Sequence, residues 1–325
     1  MKKKILSAMR PTGRLHIGHY FGALKNWKKL QDEYECFYMV ADLHALTTDF
    51  ADTKNIAQNS LEMAADWLSV GIDPSKSVVF EQSKVSAHSE LFLILSMITP
   101  LGWLYRCPTY KEQQTEIKGK DLTGYGFLGY PVLMASDILL YKADIVPVGQ
   151  DQLAHLEFTR EIARRFNNFY GQVFVEPEAK LTKTPKVPGI DGRKMSKSYG
   201  NSIFLAEDPE SLKKKVQNMF TDPLKIKKDD PGHPDGCVVF AFYEIFNPQK
   251  ALEKKEICEN GKMGCAACKK EVLQYLEEFI NPIARRRKEL IKDKGFLEKV
   301  LEEGNEKARQ AADKTMREIR EALKF

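Results

Sequence analysis

Lys4-Ile5-Leu6-Ser7-Ala8-Met9-Arg10-Pro11-Thr12-Gly13-Arg14-Leu15-His16-Ile17-Gly18-His19 carries a short apolar strand, a glycine-bearing turn and a helix start in immediate succession. Lys4 to Ala8 reads as the strand and Ile17 to Gln31 as the helix. The pattern then repeats. Phe37 to Leu43 is apolar enough for a strand buried on both faces. Ile56 to Val70 has helical spacing and stops at Gly71 and Pro74. Ser77 to Glu81 reads as strand, with helix from about His88. Ala143 to Val148 is a further strand and Gln152 to Phe166 a further helix. Strands alternating with helices predict an α/β fold, a Rossmann-like parallel sheet whose ligands lie beyond the carboxyl ends of its strands.

After about residue 205 the alternation stops. Ser211 to Phe220, Glu271 to Lys288 and Phe296 to Leu323 read as helices, with turns at Pro231-Gly232-His233-Pro234 and from Gly261 to Gly264. The expectation is a Rossmann-like domain over 1–205 followed by an all-helical C-terminal domain over 206–325. A chain of 325 residues suits two domains. Hydrophobic residues make up 43% of it, with a mean hydropathy of −0.41. No apolar run reaches the ~18–20 residues that span a bilayer. Met1-Lys2-Lys3-Lys4 begins like a signal peptide, but Ser7, Arg10 and Pro11 interrupt it, so a cytoplasmic location is expected. The net charge of +5 permits a nucleic-acid partner without requiring one.

Gly13 and Gly18 bracket the strand-to-helix turn, where backbone N–H groups at a helix start suit an anion. His16 and His19, three apart, share a helix face or the turn before it. Imidazole donors there suit a triphosphate whose charge builds as pyrophosphate leaves. A pair of histidines that merely caps or packs is the plain alternative, and a metal lacks a third ligand nearby. Far along the chain, Lys194-Met195-Ser196-Lys197-Ser198 lies in a loop from Gly189 to Asn201 without apolar periodicity. Flexible ammonium groups on such a loop suit a polyphosphate that is clamped and released, whereas an isolated Lys-x-x-Lys is more often a solvated loop. No Gly-x4-Gly-Lys-Ser/Thr occurs. Gly124-Tyr125-Gly126-Phe127-Leu128-Gly129 matches a dinucleotide pattern but follows a polar stretch, with Pro131 close behind, and is set aside.

Taken together, the His16-Ile17-Gly18-His19 and Lys194–Ser198 signatures resemble the HIGH and KMSKS motifs of class I aminoacyl-tRNA synthetases. Ser7 to Gly13, Asp42-Leu43-His44-Ala45, Met134 to Tyr141, Asp144 to Gln152 and Lys194 to Asn201 extend the resemblance to the tryptophanyl branch. That resemblance implies ATP with Mg2+, tryptophan and tRNA(Trp) as partners, a homodimer, and neither membrane nor DNA. It implies that 1–205 activates tryptophan and that 206–325 binds the tRNA anticodon. It implies His16, His19, Lys194 and Lys197 as catalytic groups acting on the phosphates. Met9, Arg10, Thr12, Gly18, Lys111, Gly149, Asp151, Met195, Ser196 and Ser198 would hold ATP. Met134, Val146 and Val148 would wall the indole with His44 nearby, while Tyr130 and Gln152 take the ammonium group. Asp137 would accept the indole N–H. A tryptophan site needs an apolar slot and one such acceptor, and Asp137 sits in a strongly apolar segment; without the resemblance the plainer reading is a helix cap beside Ser136. Arg10 stands where the family commonly has glutamine, and its charge suits either the substrate carboxylate or the ATP phosphates.

Cys237-x20-Cys258-x6-Cys265-x2-Cys268 is a four-thiolate set, apart from Cys36 and Cys107. Clustered cysteines in a reducing compartment favour a metal over disulfides. The set resembles that of the bacterial subgroup with a [4Fe–4S] cluster, and structural Zn2+ on four cysteines is its chemical rival. Lys254, Lys255, Lys262, Lys269 and Lys270 around it suit tRNA phosphates, or a solvated face interleaved with Glu253, Glu256, Glu259 and Glu271. Other readings of the whole chain are a tyrosine-specific synthetase, a small-molecule nucleotidyltransferase sharing the histidine turn, and a non-catalytic RNA-binding iron–sulfur protein.

Overall fold

The computed structural model describes residues 2–108, 110, 111, 114, 117, 119–181 and 186–325, with Asp151 described by its backbone alone. By its contacts the chain divides into two units. A sheet unit takes Met1–Gly13, Trp27–Lys183 and Asp293–Phe325; a helical unit takes Arg14–Asn26 and Thr184–Lys292.

The sheet unit holds five parallel strands: β1 (Lys4–Met9), β2 (Glu35–Val40), β3 (Ser77–Glu81), β4 (Ile145–Val148) and β5 (Glu178–Leu181). Their order is β3-β2-β1-β4-β5, the Rossmann-like arrangement that the alternation predicts. Ile5 is paired on one side with Cys36 and on the other with Ile145, so the direction of winding reverses between β1 and β4. Ligands bind at such a reversal, beyond Met9 and Val148. β2 runs buried from Cys36 to Val40, as a central parallel strand requires.

Among the strands, β2, β4 and β5 differ most from the sequence reading. β2 ends at Val40 rather than Leu43, because Asp42 begins the Asp42–Asp49 helix and its Oδ1 accepts from the Leu43 and Ser83 N–H groups at 2.9 Å each. β4 begins at Ile145, since Lys142 turns the chain with φ 49° and the Ala143 N–H still bonds to Ile138. β5, Glu-Ala-Lys-Leu, is short, polar and at an edge, and gave no apolar signal.

The Tyr125–Leu140 helix, unpredicted, begins inside the discarded Gly-x-Gly-x-x-Gly stretch, with Gly124 as its N-cap. It is buried on nearly every face, so it shows no amphipathic stripe, and Pro131 lies within it. Gly129 permits close packing: a Cβ there would lie 3.3 Å from the Phe92 ring of the Ala87–Ile98 helix.

The Lys294–Leu323 helix, expected in the C-terminal domain, belongs to the sheet unit instead. It lies along β3, where a Cβ at Gly304 would overlap the Val79 carbonyl oxygen. Asn305 Oδ1 accepts the Glu81 N–H at 2.8 Å. The helix thereby covers a sheet edge whose N–H and C=O groups need partners. The boundary at 205/206 is thus not where the contacts divide the chain.

The helical unit contains the Pro209–Gln217, Val238–Phe246, Ala251–Glu259 and Cys265–Lys292 helices. Phe21, Phe246 and Phe279 pack ring on ring within it. Among the described residues, no helix is long and apolar enough to cross a membrane.

Candidate active site

The histidine turn and the lysine loop, expected to hold the nucleotide, both fold into the helical unit. Leu15 and Ile17 pair with Leu205 and Ile203 through N···O bonds of 2.9 Å, which brings the histidine turn beside the chain leaving the lysine loop. His16 caps the Ile17–His19 turn, after which the helix widens to π spacing over Tyr20–Leu24. The His16 N–H donates to His19 Nδ1 at 3.1 Å, and the two rings lie 3.7 Å apart between centroids. Gly18 leaves the room for this, since a Cβ there would lie 2.8 Å from His16 Nδ1. Burial, with the charges of His19 and Lys197, lowers the His16 pKa to about 3. Burial and Lys197 lower that of His19 to about 4. Both rings are therefore neutral near pH 7, able to donate an N–H without adding charge.

Asn201, 2% exposed, braces the lysine loop from inside. Its Oδ1 accepts the Ser196 N–H at 2.8 Å, while its Nδ2 donates to Asp191 Oδ1 at 2.8 Å and the Lys194 carbonyl at 3.1 Å. A Cβ on Gly189 would overlap that amide. Met195 is buried, Lys194 is exposed, and Ser196 and Ser198 share a hydroxyl hydrogen bond of 2.8 Å.

The sheet unit carries the expected tryptophan set. Asp137 lies inside the Tyr125–Leu140 helix, so it is no helix cap. It is 3% exposed; His44 Nε2 lies 2.9 Å from Oδ2, and Gln82 Nε2 and His88 Nδ1 lie 2.8 Å and 2.7 Å from Oδ1. Burial raises a carboxylate pKa, but the hydrogen bonds from His44 and His88 outweigh it here and hold Asp137 below its usual range. Met134, Val146 and Val148 join the sheet unit's apolar core. The Tyr130 hydroxyl lies 2.9 Å from His155 Nε2, whose Nδ1 lies 3.2 Å from Gln152 Oε1.

Met9 ends β1 with Arg10 and Thr12 beyond it, and Gly149 follows the carboxyl end of β4, as the winding reversal requires. Arg10 bonds to the Thr48 hydroxyl and lies 3.3 Å from Asp49 Oδ2, with Lys120 on the other Asp49 oxygen. Its departure from glutamine is therefore matched by an internal carboxylate. Lys111 is exposed, and the side chain of Asp151 lies outside the described residues.

Gln82, His88, His155 and Asn201 were missed in the sequence. Gln82 follows the carboxyl end of β3, which was signal enough. His88 is a lone histidine in an apolar helix and gave none.

The four cysteines are free and half-buried in the helical unit. Burial and the nearby Cys237 thiol push the Cys258 thiol up, and burial pushes Cys268 to about 11, with Cys258 and Cys265 adding to it against Lys254. The sulfurs are neighbours, but among the described residues no group of three or more His, Cys, Asp or Glu side chains converges as a metal site. A Cβ at Gly232 would lie 2.5 Å from Cys258 Sγ, so glycine keeps space beside that sulfur.

Residues 2–281 match the family model described as tRNA synthetases class I (W and Y). The tryptophan–tRNA ligase of Thermotoga maritima is 49% identical over 323 residues, covering 98% of each chain. That of Aquifex aeolicus is 45% identical, covering 98% of this chain and 99% of its own. The structure of Campylobacter jejuni tryptophanyl-tRNA synthetase complexed with ADP and tryptophan superposes with a TM-score of 0.89 at 37% identity, covering 99% of this chain and 100% of that one. A match of this extent, on a chain whose two nucleotide signatures fold into one unit, has one meaning: the chain belongs to the class I tRNA synthetases for tryptophan and tyrosine.

Proposed function

We propose that the chain joins tryptophan to tRNA(Trp) in two steps. The tryptophan carboxylate attacks the α-phosphorus of ATP, giving tryptophanyl-adenylate and pyrophosphate; a 2′-hydroxyl of the terminal adenosine then takes the acyl group and AMP leaves. No covalent enzyme intermediate is needed, so the protein's work is positioning and charge stabilisation. His16 and His19 donate to the phosphates as neutral imidazoles, Lys194 and Lys197 neutralise the leaving pyrophosphate, and Mg2+ arrives with ATP. Gly18, Met195, Ser196 and Ser198 in the helical unit, and Met9, Arg10, Thr12, Lys111, Gly149 and Asp151 in the sheet unit, are the further residues we assign to ATP. Tyr130 and Gln152 take the ammonium group, with Met134, Val146, Val148 and His44 around the indole.

The observation that carries the choice of tryptophan is Asp137, a buried and ionised acceptor in an apolar helix. Left unpaired by a wrong side chain, such an acceptor rejects strongly. Pyrophosphate exchange driven by each of the twenty amino acids should respond to tryptophan, and Asp137→Ala should abolish discrimination for the indole. Exchange driven by tyrosine alone would overturn the assignment, as would unchanged tryptophan activity in the variant.

The part of the helical unit after residue 205 is what we assign to the tRNA anticodon arm, in a cytoplasmic homodimer whose tRNA spans both subunits. Cys237, Cys258, Cys265 and Cys268 would hold a [4Fe–4S] cluster, with Zn2+ the rival. Such a centre supplies a cross-link between chain segments rather than chemistry on the substrate. The clustering of the four cysteines in the sequence supports this, as does the space that Gly232 keeps beside Cys258 Sγ. Visible absorption with iron and zinc analysis of anaerobically prepared protein decides between them; absence of both metals overturns the site.

A further inference from the structure

The two oxygens of Asp137 are unequally occupied. Oδ1 receives both Gln82 Nε2 and His88 Nδ1, while Oδ2 receives only His44 Nε2 among the described residues. An ionised carboxylate offers about four lone-pair sites. Oδ1 is therefore full, and Oδ2 keeps one site open. Gln82 cannot turn, because its Oε1 accepts the His44 N–H at 3.2 Å.

Behind His88 stands Tyr141, with its hydroxyl 2.8 Å from His88 Nε2. His88 and Gln82 are fully buried and Tyr141 is 1% exposed, so the set exchanges no partner with water. The carboxylate only accepts, so His88 Nδ1 carries a proton toward Oδ1, while Nε2 faces the Tyr141 hydroxyl. Burial and the nearby Asp137 push the Tyr141 phenol well above its usual range, so it remains a donor. Its ring is wedged against Phe37 and Phe80, at centroid distances of 4.9 Å and 5.4 Å.

We propose that Tyr141 and His88 are positioning residues for amino-acid selection: they fix the Asp137 carboxylate so that its open Oδ2 site meets the indole N–H. This rests on Asp137 being the indole acceptor. Loss of the His88 donor leaves Oδ1 to Gln82 alone, loosens the carboxylate and weakens its hold on the anionic form. The penalty falls on a substrate that uses the acceptor and spares one that does not.

The test is pyrophosphate exchange by the full chain with tryptophan and with β-(benzothiophen-3-yl)alanine, which has the same shape with sulfur in place of N–H. Tyr141→Phe and His88→Leu should each cut the ratio of kcat/KM for the two substrates about tenfold or more, through the KM for tryptophan. His88→Asn, whose amide takes the Nδ1 position, should restore most of it. In His88→Leu the acid limb of the tryptophan KM should also move to higher pH. Asp137→Asn separates the two ideas. An unchanged ratio in Asp137→Asn overturns the acceptor reading itself; a ratio lost there but kept in both Tyr141→Phe and His88→Leu overturns the relay alone. An equal fall for both substrates in Tyr141→Phe also overturns the relay, because it marks a structural role only.

Discussion

His16 and His19 show how a residue's chemistry departs from what its type suggests. Two adjacent histidines invite a picture of paired positive charges, yet burial leaves both neutral, with pKa values of about 3 and about 4. The sign for stability follows. The unfolded chain binds protons at these histidines as pH falls below about 6.5, and the nucleotide-free native chain does not until much lower. Acid therefore destabilises the fold through them, by up to about 1.4 kcal/mol per pH unit for each histidine in that window. Urea unfolding at about pH 5 and about pH 7 should show His16→Asn and His19→Asn losing part of this dependence; an unaltered slope would mean that the rings are charged. At this scale the sequence displayed the paired histidines and the lysine loop, because their spacing is itself the signal. It did not display Gln82, His88, His155 or Asn201. Gln82, His88 and His155 act on residues distant in the chain, as Gln82 does on Asp137 and His88 on Tyr141, and Asn201 acts within a loop that has no periodicity.

Among the elements, amphipathic helices and the apolar strands β1 to β4 were legible, because each has one period and one face to hide. The Tyr125–Leu140 helix was not, since burial all round removes the stripe and its glycines and proline read as a loop. The Lys294–Leu323 helix was legible as a helix but not as a partner of β3. Its Gly304 sits against the Val79 backbone, and Asn305 occupies the strand's free N–H. Ordinarily Gly→Ala within a helix stabilises by about 0.5–1 kcal/mol. Here the sign should reverse. Gly304→Ala should lower the melting temperature, and Asn305→Ala should cost about 1–3 kcal/mol by leaving the Glu81 N–H unpaired. A thermal melt of Gly304→Ala at or above the parent's would show that the helix is not seated there.

Across the whole molecule, a net charge of +5 is small, so its effect on the two reaction steps should differ. Tryptophan-driven pyrophosphate exchange should change little between low and moderate salt, while the KM for tRNA should rise steeply as counterion release weakens phosphate contacts. Equal salt sensitivity of both steps would argue against a charge-led tRNA surface.

The sheet unit is made from three stretches of chain, and the last, Asp293–Phe325, comes after the whole of the helical unit in sequence. A ribosome therefore makes β3 long before it makes the residues that shield it. Throughout translation of residues 184–292 the nascent sheet presents an open strand edge, the kind that templates aggregation. Gly304 and Asn305 reach that edge only afterwards, so a stall in the intervening codons exposes the cell to a sticky, half-built sheet rather than to a finished first domain.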